Sequence, residues 1–176
     1  PDATYTEQRD AILAAAIAAR PDQDAADPDD RGAGGADVLV LAEAFARTGP
    51  AAIEWKLDGI RVQVHRDGSA VSVFTRTLDD VTERVPELVE VVSALPVHSV
   101  VLDGETIALD HDGRPLPFQQ TAARIGQRLD ITSARARVPL SAFLFDCLHL
   151  DGEDLVGTPG VRRWEALTGI VPAGQR

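Results

Sequence analysis

Ile60-Arg61-Val62-Gln63-Val64-His65-Arg66-Asp67-Gly68-Ser69-Ala70-Val71-Ser72-Val73-Phe74-Thr75 alternates apolar and polar side chains on either side of an Asp-Gly pair. Strand side chains point to opposite faces with a period of two, so each half predicts a strand with one buried face. Asp67-Gly68 predicts the tight turn that folds the two into an antiparallel hairpin. Further along, Asp103-Gly104-Glu105 separates two apolar runs, 99–102 and 106–109, which read as two strands, and His111-Asp112-Gly113 reads as the next turn. The run from Leu140 to Leu148 predicts another strand, followed by a turn at Asp151-Gly152 and a last helix near 161–167. Helices are expected from Pro86 through Leu95 and from Phe118 to Arg128. Strands meeting through turns, with helices between the groups, predict an α+β fold of antiparallel sheets with flanking helices.

Upstream, Thr4 and Glu7 have the spacing of a capping box, and the alanine-rich run to Arg20 favours a helix. Residues 21–36 are rich in Asp, Pro and Gly with little to bury, which is the composition of a mobile linker. The expected organisation is therefore a helix plus acidic linker over 1–36 and a folded domain over 37–176. Asp37 is placed to cap a second helix that ends near Thr48-Gly49-Pro50.

Over 176 residues the formal net charge is -11, which argues against a self-sufficient electrostatic DNA binder, because duplex affinity rests on cations that displace phosphate counterions. Any nucleic-acid contact has to be local or shared with other parts. Cys147 is the only cysteine and lies in an apolar run, so it forms no internal disulfide and fits a reducing compartment. No signal peptide or membrane span is visible, and the cytoplasm is the expected location. The chain begins at Pro1 and contains no methionine, so it reads as processed, trimmed or a fragment.

Lys56 is the only lysine among 17 basic residues. A high-GC coding bias would leave such a survivor without chemical meaning. The chemistry nevertheless differs: a guanidinium stays protonated, whereas an amine can lose its proton and attack phosphorus or carbonyl. Lys56-Leu57-Asp58-Gly59-Ile60-Arg61 places an amine, a carboxylate, a glycine and a guanidinium on one turn. Lysine can attack, arginine can hold an oxyanion in a fork, and glycine lets backbone approach a ligand. An isolated Asp-Gly turn with ordinary flanking charges is common, and the rest of the chain decides between these readings.

The pattern K-x-D-G-x-R resembles the nucleotidyl-transfer signature of ATP-dependent DNA ligases, and further stretches follow in that family's order. Phe74-Thr75-Arg76, Leu102-Asp103-Gly104-Glu105, Gly113-Arg114-Pro115-Leu116-Pro117-Phe118-Gln119, and Phe143-Leu144-Phe145-Asp146 with Leu150-Asp151-Gly152 resemble the later motifs. The likeness runs from about Gly49 to about Leu167. It implies an incomplete ligase-type nucleotidyltransferase (adenylation) domain in which Lys56 attacks the α-phosphate of ATP. Lysyl-AMP would pass its AMP to the 5′-phosphate of nicked double-stranded DNA, which the complete parent enzyme then seals.

By the same resemblance Glu54 reads the adenine amino group, and Arg61 and Arg76 hold ribose and phosphate groups. Asp58 orients the motif and assists the later steps, or simply shapes the turn. Glu105 lies near the ribose and the nucleophile and is the candidate ligand for Mg²⁺, with Asp103 supporting it through turn hydrogen bonds. Phe145 stacks on adenine, with Phe143 its competitor at period two. The family's Glu-Gly-Val motif, paired phosphate-gripping lysines and carboxy-terminal barrel are missing from the sequence, so little or no turnover and an uncovered apolar surface are expected. The first motif is shared with RNA ligases and capping guanylyltransferases. A non-catalytic interaction module is the reading from another class. The four histidines show no metal-ligand spacing, and Arg124, Arg128, Arg135 and Arg137 read as a solvated face at least as readily as a DNA contact.

Overall fold

A five-stranded antiparallel sheet in the order β2-β1-β3-β4-β5 organises the chain. The computed structural model describes residues 56–176, together with Glu43, Ala46 and Arg47, which are helical. The helix expected at the amino terminus, the linker over 21–36, most of the helix after Asp37, and both Glu54 and Trp55 lie outside the described residues. The strands are β1 (Ile60–Asp67), β2 (Ala70–Thr75), β3 (Ser99–Ala108), β4 (Leu140–Leu150) and β5 (Glu153–Asp154). The helices are α1 (Pro86–Ser93), α2 (Phe118–Gly126), α3 (Ile131–Arg137) and α4 (Gly160–Ile170).

Period-two patterning works as expected in the first hairpin. β1 pairs with β2 from Val62↔Thr75 to Asp67↔Ala70, and Gly68 takes a left-handed φ of 57° in the two-residue turn. Val62 and Val64 of β1, Val73 of β2, Val100 and Leu102 of β3, and Leu140, Ala142 and Leu144 of β4 are buried in one apolar cluster. Leu88 and Val92 of α1, Ile125 of α2 and Leu167 of α4 join the same cluster. Each such side chain contributes on the order of 1.5–3 kcal/mol when removed from water, so this seam dominates the folding free energy. The intervening residues, among them Arg61, Asp103, Glu105, Phe143 and Phe145, are left for the opposite face.

Asp103-Gly104-Glu105 does not form a turn between two strands, as the sequence led us to expect, but lies inside the continuous strand β3. β1 pairs it on one side, from Ile60↔Thr106 to Asp67↔Ser99, and β4 on the other. Glycine is needed there for space: a Cβ on Gly104 would lie 2.7 Å from the Phe143 carbonyl oxygen and 2.8 Å from Leu144 Cδ2. The β3–β4 register shifts between Val101 and Leu102 and again between Asp103 and Gly104, skipping Leu148 and Phe145 on β4. Such bulges re-aim side chains locally.

Arg124 departs from the solvated reading, being 4% exposed. Its Nη2 donates to Glu87 Oε1 at 3.0 Å, Nη1 to the Arg84 carbonyl at 2.7 Å and Nε to the Val138 carbonyl at 3.2 Å. Glu87 Oε1 also accepts from the Leu140 N–H, so the pair ties α1, α2 and the start of β4 together. Arg135, by contrast, pairs with Glu90 at the surface, where such contacts are worth little. Cys147 is fully buried, and desolvation pushes its thiol up to about 11.

Removing one member of a buried ion pair strands the other charge, so Arg124→Ala is expected to lower the unfolding free energy by about 3–5 kcal/mol in urea titration. A loss below about 1 kcal/mol, the surface value, would contradict the buried-pair assignment. At pH 8 Cys147 should react with a thiol reagent only as fast as the chain opens, a rate followed by mass spectrometry.

Candidate active site

Lys56, Leu57 and Asp58 run irregularly into β1, with Lys56 and Asp58 exposed. The segment is anchored at Gly59, whose N–H donates to Glu105 Oε1 at 2.6 Å. Only glycine permits this approach. A Cβ there would lie 2.3 Å from the Thr106 carbonyl oxygen and 2.6 Å from Ile107 Cγ1. The glycine of the K-x-D-G pattern thus has a packing reason, and the carboxylate of Glu105 a positional one.

Two residues on, Arg61 points onto the face opposite the apolar core. Its Nε donates to Asp103 Oδ1 at 3.1 Å and its Nη2 to Asp103 Oδ2, a bidentate fork across the β1–β3 ladder. The fork and the charge of Asp103 raise the Arg61 pKa further above its ordinary value. The Arg61 side chain remains 58% exposed, so it is held in place yet still accessible. Its guanidinium carbon stands 5.8 Å from the centre of the Phe145 ring, at cation–π distance. Phe145 is aimed there from the bulge in β4, whereas Phe143 lies opposite Glu105 in the β3–β4 ladder.

Arg76 follows β2 on an exposed loop that is braced from within. Thr77 Oγ1 donates to Asp79 Oδ2 at 2.8 Å, Asp80 Oδ1 accepts from the Thr82 N–H and hydroxyl, and Arg84 donates to the Asp80 carbonyl at 2.8 Å. Arg61 and Arg76 line one depression of about 510 Å³ with Phe74, Leu78 and Asp103. A neighbouring depression of about 490 Å³ is lined by Gly59, Arg61, Arg76, Arg84 and Glu105. Lys56, Asp58 and Phe145 line neither. A further concavity of about 670 Å³, beside Gln63, His65, Ser99 and His149, is lined by none of the expected site residues.

The structure therefore gathers Gly59, Arg61, Arg76 and Glu105 around one hollow and puts Phe145 beside Arg61, while Glu54 lies outside the described residues. Two features escaped sequence reasoning. Asp103 engages Arg61 rather than supporting Glu105 through a turn, and Asp146 is gripped by Arg163, whose Nε donates to Asp146 Oδ1 at 2.8 Å. The first could have been read from strand register, had β3 been recognised as one strand. The second joins residues 17 apart across a turn and leaves no periodic signal.

Carboxylate oxygens such as those of Glu105 and Asp58 suit a hard cation like Mg²⁺, which takes one or two carboxylates and completes its shell with water and phosphate oxygens. The donor set fits in chemical type. Among the described residues, Asp110, His111 and Asp112 also sit close together, but Asp110 Oδ1 already accepts from the N–H groups of Asp112 and Arg114 as part of the turn.

A family model described as "ATP dependent DNA ligase domain" matches residues 37–176. A probable DNA ligase from Streptomyces griseus is 54% identical over 132 residues, covering 75% of this chain and 26% of the relative. One from Mycobacterium marinum is 54% identical over 137 residues, covering 77% and 27%. The chain spans about a quarter of the length of these curated relatives. Among solved structures, a mycobacterial DNA ligase D complexed with ATP and MES matches with a TM-score of 0.51 and 33% identity, over 66% of this chain and 35% of that one. The ligase domain of M. tuberculosis LigD matches with a TM-score of 0.51 and 29% identity, over 69% and 41%.

Because a Cβ at residue 59 has backbone in its way, Gly59→Ala should displace the Lys56 segment while leaving the β1–β2 hairpin folded. Amide hydrogen exchange is expected to quicken at 57–60 and to stay unchanged over 62–75; equal protection at both places would refute the close-approach argument.

Proposed function

Since this chain belongs to the ATP dependent DNA ligase domain family, we propose that Lys56 attacks the α-phosphate of ATP. A P–N bond forms, pyrophosphate leaves, and the amine ends as a lysyl-AMP phosphoramidate. In the complete enzyme AMP then passes to the 5′-phosphate at a nick in duplex DNA, and the adjacent 3′-hydroxyl displaces it to seal the strand. The observation that supports this reading best is the Glu105–Gly59 hydrogen bond, which fastens the lysine segment beside Arg61 and Arg76.

Each residue then has a task suited to its chemistry. Lys56 must attack as the neutral amine, because only that form has an electron pair to form the P–N bond. Arg61, held by Asp103 but exposed, offers its guanidinium to ribose or phosphate oxygens, and Arg76 contributes a second guanidinium at the rim. Phe145 supplies an aromatic face for adenine, Glu54 an acceptor for its amino group, and Glu105 an oxygen close to the ribose. Asp58 orients the segment. Mg²⁺, held through Glu105, would neutralise charge on the triphosphate. Lys56 is the sequence's only lysine, so no second amine grips the α-phosphate, and this chain by itself is proposed to turn over little or not at all.

Prolonged incubation with α-labelled ATP and Mg²⁺ should leave an acid-labile AMP on a small fraction of the chain. Lys56→Arg keeps the charge but removes the nucleophile, and should abolish the label. Labelling that survives in the variant refutes the assignment, and labelling by GTP in place of ATP moves the chain to the capping-type enzymes.

A further inference from the structure

Beyond the residues proposed for ATP, the bulge in β4 carries a second charge pair beside the first. Asp146 directly follows Phe145 and is the Cα partner of Asp103 across the β3–β4 ladder. Two carboxylates thus sit side by side within reach of one guanidinium. Arg61 is forked to Asp103, and the charges of Glu105 and, after it, Asp146 also favour its protonated form, though less strongly. What keeps Asp146 occupied is Arg163 on α4. Its Nε donates to Asp146 Oδ1 at 2.8 Å and its Nη1 to the Thr158 carbonyl at 2.8 Å, so the guanidinium is fixed at both ends. Asp146 Oδ1 accepts from the Cys147 N–H as well. The Asp146 and Arg163 side chains are 25% and 24% exposed, partly shielded from the water that screens surface pairs.

We propose that Arg163 is a positioning residue: by holding Asp146 it keeps that carboxylate from drawing Arg61 away from Asp103 and from its place over the Phe145 ring. With Arg163 present, each acid has its own arginine. With Arg163 absent, Asp146 keeps, among the described residues, the Cys147 N–H and becomes an unpaired carboxylate beside Asp103 that competes, as Glu105 does, for an arginine whose side chain is 58% exposed and therefore able to swing. The base platform and the ribose-facing guanidinium are then both disturbed by a residue hydrogen-bonded, among the described residues, to neither. The proposal rests on the reading of Phe145 and Arg61 as the nucleotide platform, but its geometric part can be tested without nucleotide.

Arg163→Gln removes the charge, Arg163→Lys keeps it without the fork, and Arg163→Gln with Asp146→Asn removes the freed carboxylate as well. In unliganded protein, ¹⁵N–¹H spectra of the arginine side chains should show Arg61 Nε–H protected from exchange in the parent chain. Protection is expected to be lost in Arg163→Gln, partly kept in Arg163→Lys, and regained in the double variant. In the Lys56 labelling reaction, Arg163→Gln should raise KM for ATP about tenfold with little change in the maximal rate, and the double variant should return to within about twofold, the coupling expected of neighbouring charges. A double variant as impaired as Arg163→Gln would overturn the proposal, because a purely structural loss on α4 is not repaired at Asp146. Absence of label in the parent chain would count against Lys56 adenylylation, while the Arg61 resonance still decides the role of Arg163.

Discussion

The hydrogen bond from the Gly59 N–H to Glu105 fixes where the lysine segment meets the sheet, and the rest of the site is arranged around that junction. It works because β3 is paired on both sides and cannot yield. β1 holds it along one edge and β4 along the other, so Asp103, Glu105 and Ile107 present their side chains from a backbone with little freedom. A carboxylate on such a strand can determine the position of an irregular segment, whereas the segment cannot move the carboxylate. The two tight glycines follow from this geometry. Gly59 brings the loop onto β3, and Gly104 lets β4 come in close behind.

Charge on the site face is arranged as local pairs rather than as a field. The chain carries -11 overall, and the face contains Asp103, Glu105 and Asp146 as well as Arg61, Arg76 and Arg163. Asp103 and Asp146 are each taken by an arginine, and Glu105 by a backbone donor. This neutralises the acids of that face without making the surface basic. The composition accordingly offers little bulk attraction for a polyanion.

Much of this was legible in the sequence, for identifiable reasons. The β1–β2 hairpin was readable because alternation and an Asp-Gly turn point to one structure, and the antiparallel α+β class followed. β3 was misread at Asp103-Gly104 because an Asp-Gly pair has the same local chemistry in a turn as in a strand, and only the neighbouring backbone of β4 shows why glycine is there. Arg124 looked like a surface charge because its acceptors, Glu87, the Arg84 carbonyl and the Val138 carbonyl, come together only through tertiary packing. Arg61, Arg76 and Glu105, singled out by motif order, line one hollow, but the partner of Arg61 was not readable without strand register.

The solitary lysine acquires a physical meaning from its arginine neighbours. Arginine is weakly hydrated, forks onto carboxylates and holds its proton, so Arg61, Arg124 and Arg163 serve as fixed struts while remaining chemically inert. An amine in any of those places would gain fewer directed contacts and could compete as a nucleophile. At residue 56 the requirements reverse. The side chain is exposed on an irregular segment that Gly59 fastens to Glu105, and the proposed attack on phosphorus asks for an unclamped amine rather than a forked guanidinium. On the proposed mechanism, guanidinium for holding and amine for attack is a division that follows from the chemistry of the two groups.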